Sequence, residues 1–169
     1  DYVEYLIAIS YYEQIVDEKK DLNSIIKSKK YFESILNKYP DTEYAKDAEF
    51  KIDLINEILA AKEMYIARYY FDKKKWIPSI NRLKTIVNKY ETTVYVEEAL
   101  HRLVEVHYII GLEEEAKKYA KLLGYNYQSS KWYQQSYSIF DKRYKKVDKF
   151  KKKKISRLKK IKSLFDWDE

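Results

Sequence analysis

Cysteine is absent from the 169 residues, which excludes disulfides and thiolate metal sites and leaves the redox compartment unreadable. Glycine and proline occur only twice each. So few breakers cannot serve the many turns of a multi-stranded sheet, and an all-helical chain is favoured. No stretch approaches the roughly 20 uninterrupted apolar residues of a membrane-spanning helix. The opening "DYVEYLIAISYYEQ" has no basic leader or cleavage site and reads as a trimmed or mature fragment. What is present is a hydrophobic content of 46% with 17% aromatics, enough for one globular domain with a sizeable core.

The net charge of +7 is unevenly placed. Residues 142–162 hold 13 Lys or Arg, with only Asp141 and Asp148 against them, so the first 140 residues are close to neutral. The chain therefore divides into a balanced body and a basic tail. Val147, Phe150, Ile155, Leu158, Ile161 and Phe165 recur in the tail at roughly helical intervals, which predicts an amphipathic helix there.

A short pattern recurs in the body: "YPDTEY" at 39–44, "YETTVY" at 90–95 and "YNYQSSKW" at 125–132. Superposing Tyr39 on Tyr90 places Ile35 over Ile86, Asn37 over Asn88, Thr42 over Thr93, Tyr44 over Tyr95 and Ala48 over Ala99. Apolar residues at helical spacing lead into each pattern (Ile25, Phe32, Ile35, Leu36; Ile80, Leu83, Ile86, Val87) and follow it (Ala48, Ile52, Ile55, Leu59; Ala99, Leu103, Val104, His107). Each pattern is thus expected to be a joint between two amphipathic helices. Thr42, Thr93 and Ser130 are the expected N-caps, and the flanking aromatics are expected to pack together across the turn.

Helix–turn–helix repetition points to a tetratricopeptide (TPR) solenoid, whose period is 34 residues. Gly111 and Ala116 stand at the spacing of a TPR inter-helix glycine and the small residue of the second helix. Ser28 and Ser79 replace Ala116 in the earlier units, and Ala67 takes the small position where paired helices cross. The excess of the first interval over 34 is assigned to one long helix, about 42–72, expected to project beyond the solenoid. The predicted helices are 2–17, 24–38, 43–72, 77–90, 94–110, 113–124 and 130 to about 164. Repeats are expected over 1–135, with about three helix pairs, and the basic tail over 136–169.

The residues argue against catalysis. His101 and His107 lie six apart, which turns them to different faces of a helix and rules out an i, i+4 metal pair. His107 falls on the apolar stripe as a core residue, and His101 is expected at the surface. Two glycines do not build a phosphate-cradling loop, and Glu113, Glu114 and Glu115 read as the acidic first turn of a helix. No cofactor or metal is expected.

The stretch from "LAAKEMYIARYY" through "INRLKTIVNKYETTVYVEEALHRL" to "SSKWY", residues 59–133, resembles the C-terminal repeats of the BamD family, the TPR lipoproteins of the outer-membrane β-barrel assembly (BAM) complex. "DYVEYLIAISYY" is similar to the start of that family's third repeat. The resemblance implies repeats three to five of a five-repeat protein, lipid-anchored on the periplasmic face of the outer membrane through an upstream cysteine. It further implies a non-catalytic scaffold that binds a periplasmic POTRA domain of BamA, associates with other BAM lipoproteins and helps β-barrel insertion. The family's partner-binding arginine falls on Arg82, beside Asn81, with Tyr65, Arg68 and Tyr69 as secondary candidates. Leu83 and Ile80 face the core by periodicity, so Arg82 is expected outside, where a planar guanidinium can hold a carboxylate bidentately. The chain departs from the family pattern at Glu91, where proline is usual, at Pro78, in a short connection at 17–24, and in its tail. For the tail, Lys151, Lys152, Lys153, Lys154 and Arg157 are candidates for contact with anionic lipid or another anion; a solvated extension, packing on the repeats and a protein partner are the other readings. A different periplasmic TPR scaffold of the Tol–Pal coordinator type is the nearest alternative, and a cytoplasmic nucleic-acid-binding protein acting through its tail is the more distant one; nucleic acid is not expected.

Overall fold

The computed structural model describes residues 1–15 and 22–140. Seven helices account for nearly all of them: α1 (Tyr2–Glu13), α2 (Leu22–Lys38), α3 (Glu43–Asp72), α4 (Trp76–Lys89), α5 (Val96–Ile109), α6 (Glu113–Asn126) and α7 (Lys131–Phe140). Each packs mainly on its neighbours in sequence, α1 on α2, α2 on α3 and so on, with α7 lying against both α5 and α6. Contacts that stay this local make a solenoid, and the fold is an all-α array of TPR-like helix pairs. The tail residues named above lie outside the described residues. The expected boundary at 135/136 falls within α7.

The joints repeat one backbone turn. The amides of Thr42, Thr93 and Ser130 donate to the carbonyls of Tyr39, Tyr90 and Tyr127 at 3.1–3.2 Å. Those three tyrosines each end a helix by donating to the residue four back, Ile35, Ile86 and Leu123. The aromatic of the third joint is therefore Tyr127, and Tyr125 points to solvent. Thr42 caps α3, its hydroxyl accepting from the Ala45 amide at 3.2 Å, and Ser130 accepts from the Trp132 amide at 3.1 Å. Thr93 does not cap as expected. Its hydroxyl donates back to the Tyr90 carbonyl at 2.8 Å and α5 starts without a side-chain cap. The aromatics after the first and third turns also differ from expectation, because they reach back to the previous odd-numbered helix: Tyr44 packs on Tyr2 and Tyr5 of α1 at 5.7 and 5.0 Å, and Trp132 packs on His101 of α5 at 5.1 Å.

Within a pair, the helices cross at small residues. Ser28 is fully buried and donates to the Ala8 carbonyl at 3.0 Å; Ser79 does the same to Ala67 at 3.0 Å. Ala116 meets Val104 in the third pair with no hydroxyl involved. Between the second and third units the period is 37 residues rather than 34: Ala67 and Val104, Ser79 and Ala116, Tyr90 and Tyr127, and Tyr95 and Trp132 all stand that far apart. The same offset joins Gly111 to Lys74, and both have positive φ, +83° and 56°. The following residues, Leu112 and Lys75, donate to carbonyls five residues back, His107 and Tyr70. Lys74 thus holds the left-handed turn position that a glycine fills in the next unit. Pro78 lies in the first turn of α4, where a missing amide hydrogen costs nothing.

The 30-residue α3 does not project. Its first half (Ala45, Ala48, Ile55, Leu59) closes a core with Ala8, Ile25, Phe32 and Ile35, and its second half (Ala60, Met64, Ala67) enters another with Ile80, Leu83, Ile86, Leu100 and Leu103. A helix of about 45 Å can serve two helix pairs at once, and Tyr90 packs against both cores where they meet.

The Ser79 crossing gives a direct test. Ser79→Ala loses one hydrogen bond and should cost about 1 kcal/mol, whereas Ser79→Val forces two backbones apart and should cost about 1–3 kcal/mol. Denaturant melts of the two variants measure the difference; equal losses would mean that the crossing is not tightly packed.

Candidate partner-binding face

The second half of α3 presents three directions. Ala60, Met64 and Ala67 are buried and define the inward side. Glu63 and Tyr70, seven residues apart and so on one stripe, turn to α4, where Arg82 reaches Glu63 and Tyr70 lines a shallow groove with Ile77, Pro78, Asn81, Arg82 and Thr85. Arg68 lies about 140° round the helix from Glu63 and turns to α5. Tyr65 and Tyr69 face outward at 60% and 54% exposure.

Arg82 is exposed, as its place between Ile80 and Leu83 predicted, and its Nη1 straddles the carboxylate of Glu63 with both oxygens at 3.2 Å. Asn81 is exposed beside it on the same groove. Tyr69 packs edge-on against Tyr70 at 5.6 Å, with the Lys73 ammonium 6.0 Å from its ring. The five candidates therefore do not form one cluster: Asn81 and Arg82 share the groove, and Tyr65 and Tyr69 lie round the helix from it. Arg68 is already engaged. Its Nε and Nη2 grip the two oxygens of Glu98 at 2.9 and 2.5 Å, a bidentate pair joining α3 to α5.

Glu98 is buried, and burial alone would push its carboxyl up; the Arg68 hydrogen bonds and the charges of Arg68 and Arg102 outweigh this and hold it below the ordinary glutamate value. Arg102 lies between Phe71 of α3 and Trp132 of α7, 5.1 and 5.9 Å from their rings, and bonds Glu105 at 2.8 Å. The pattern of one odd-numbered helix tied to the next recurs at Tyr5, whose hydroxyl donates to Asp47 at 2.7 Å and is pushed up to about 12 by that bond. Ser130 of the last joint also donates to Glu97 of α5.

His107 is buried, its Nδ1 2.7 Å from the Leu103 carbonyl and its ring 5.2 Å from Tyr119. His101 is also buried, against expectation. Its Nδ1 lies 2.8 Å from Ser136 Oγ, because α7 covers a second side of α5 that a single apolar stripe in the sequence does not reveal. Burial lowers its pKa, opposed in part by Glu105 at 3.6 Å and Glu98, and reinforced by Arg102. Among the described residues, no group of three His, Asp or Glu side chains is placed to hold a metal. Nothing local in the sequence marks Glu63, a helix-surface glutamate, as the partner of an arginine 19 residues on.

A stack of helix pairs packed neighbour on neighbour and joined by short repeated turns defines the TPR-like class of helical solenoids. Residues 1–122 match the family described as YfiO, outer membrane lipoprotein. The chain is 47% identical over 138 residues to the outer membrane protein assembly factor BamD of Rickettsia prowazekii, covering 82% of this chain and 55% of that protein. It is 41% identical over 140 residues to that of Caulobacter vibrioides, covering 83% and 46%, and 30% identical over 99 residues to that of Neisseria meningitidis serogroup A, covering 59% and 37%. The chain belongs to the YfiO (BamD) family. It spans about half the length of the curated relatives it matches. No helix among the described residues is long and apolar enough to cross a membrane.

Because His101 is more readily protonated in the unfolded chain, its contribution to stability should be complete above about pH 6.5 and decline as the pH falls below that value. Thermal melts between pH 7.5 and 5 should show this loss, and His101→Gln should flatten it; an equal slope in the variant would remove His101 as the cause.

Proposed function

We propose that the chain is the repeat-bearing C-terminal half of a non-catalytic scaffold in outer-membrane protein assembly, corresponding to repeats three to five of a BamD protein. In this reading the complete protein is lipid-anchored upstream on the periplasmic face of the outer membrane, works with other BAM lipoproteins, and binds a POTRA domain of BamA. Support comes from the likeness to proteins named as outer membrane protein assembly factors over more than four-fifths of this chain. The mechanism is presentation: the helix stack holds exposed side chains at fixed positions for a partner, and no bond is made or broken.

The observation that carries the partner contact is Arg82. It is exposed at the mouth of a groove, on a helix whose inward residues Ile80, Leu83 and Ile86 are buried, so its own direction is fixed by the core. A guanidinium so placed suits an acidic side chain on the partner. Arg82→Glu should weaken binding to the BamA periplasmic domain on the order of tenfold, or about 1.4 kcal/mol, with helicity unchanged by circular dichroism. Undiminished binding would remove Arg82 from the interface.

The tail, which lies outside the described residues, extends the proposal. Its 13 basic residues over 142–162, Lys151 to Lys154 and Arg157 among them, suit an anionic lipid surface at about 1 kcal/mol per basic residue near it. Flotation with vesicles containing phosphatidylglycerol should recover the full chain at low salt but not a form ending at residue 140. Equal recovery of both, or none of either, would exclude the tail as the lipid contact.

A further inference from the structure

We infer that Glu63 is a positioning residue for the Arg82 contact: it fixes the guanidinium across the α3–α4 seam so that the other edge of the group is presented to the partner's carboxylate. The inference rests on the reading of Arg82 as a partner contact and adds to it a residue that is not itself at the partner's surface.

The geometry supplies the argument. Both Glu63 oxygens lie 3.2 Å from the same nitrogen, Nη1, so the carboxylate occupies one corner of the fork, and among the described residues Glu63 alone is seen to bond Arg82. The Nε and Nη2 edge remains for a second carboxylate, which is the edge Arg68 uses to grip Glu98 on the other flank of the same helix. Glu63 is itself confined. Its side chain is only 19% exposed against 45% for Arg82, so the acid sits at the inner end of the seam and the arginine at the outer end. Tyr70, Pro78, Asn81 and Thr85 line, together with Arg82, the groove beside this pair. An unheld arginine loses much side-chain freedom on binding, and tethering one corner in advance reduces that loss. Glu63 also carries the same charge as the proposed ligand, so its value lies in geometry rather than in attraction.

That balance separates two substitutions. Glu63→Gln keeps an oxygen acceptor for Nη1 and removes the like charge, whereas Glu63→Ala removes the tether. With the full chain titrated into the BamA periplasmic domain, Glu63→Gln should bind within threefold of the parent or tighter, and Glu63→Ala should bind at least fivefold more weakly at unchanged melting temperature. In an Arg82→Ala background, Glu63→Ala should add no further loss. Without any partner, rotation about the Arg82 Nε–Cζ bond, followed by nitrogen-15 exchange, should be faster in Glu63→Ala than in the parent. Parent-like or tighter binding by Glu63→Ala, an equal loss with Gln, or a loss that persists without Arg82 would overturn the inference. Should Arg82→Ala alone bind normally, the partner reading fails and Glu63 loses this role with it; slower rotation in the parent than in Glu63→Ala would then report the tether alone.

Discussion

The close approach of paired helices is the constraint on which the other features depend. At Ala8 with Ser28, Ala67 with Ser79, and Val104 with Ala116, one side chain of each pair is no larger than serine, and the helices are near enough for a serine hydroxyl to bond a carbonyl of the facing backbone. At that distance the flanking apolar residues interdigitate, and nothing bulky fits at the crossing. The joints can then be short, because the next helix begins beside the one just finished. Three nearly identical turns, closed from Tyr39, Tyr90 and Tyr127, are the consequence.

A stack built this way has a second set of contacts, between alternate helices, and here the chain uses polar groups. Tyr5 with Asp47, Arg68 with Glu98, and His101 with Ser136 join α1 to α3, α3 to α5 and α5 to α7. Such ties add little net stability when solvated, but a carboxylate as buried as Glu98 is costly unless held, and its two arginines fix the relation of α3, α5 and α7. Directional contacts of this kind constrain how one helix pair sits against the next. Arg68, a candidate for partner contact by resemblance, is as exposed as Arg82, 49% against 45%, but the Nε and Nη2 edge of its fork is taken by the buried Glu98. Arg82, on the opposite flank of α3, is held by Glu63 at Nη1 alone. The difference lies in what each faces: a buried acid across from Arg68, and the edge of an open groove beside Arg82.

Much of this was legible from residue spacing. The seven helices, the joints, the serine crossings and the outward direction of Arg82 all follow from patterns within one or two helical turns, where side-chain direction is fixed by chain geometry. Other features were not. The sequence placed His101 at the surface because burial by a non-adjacent helix leaves no local mark, and it let α3 project because nothing along the chain shows that one long helix serves two cores. The left-handed turn at Lys74 was hidden because the usual glycine is missing there, and Thr93 reads as a cap although its hydroxyl bonds backward instead.

The sequence alone determined that the chain is helical, that its helices pair, and where each pair turns, since these depend on apolar periodicity and on small or hydroxyl side chains at fixed offsets. Its family membership is likewise a property of the residues themselves. Only the tertiary structure decided which exposed arginine has its two-nitrogen edge taken by an acid of the same chain and which is held at one nitrogen alone. That choice is made by contacts such as Arg68 with Glu98, 30 residues apart, and Glu63 with Arg82, 19 apart. Separations of that size are bridged by the packing of whole helices, and no pattern read along the chain carries the resulting distance.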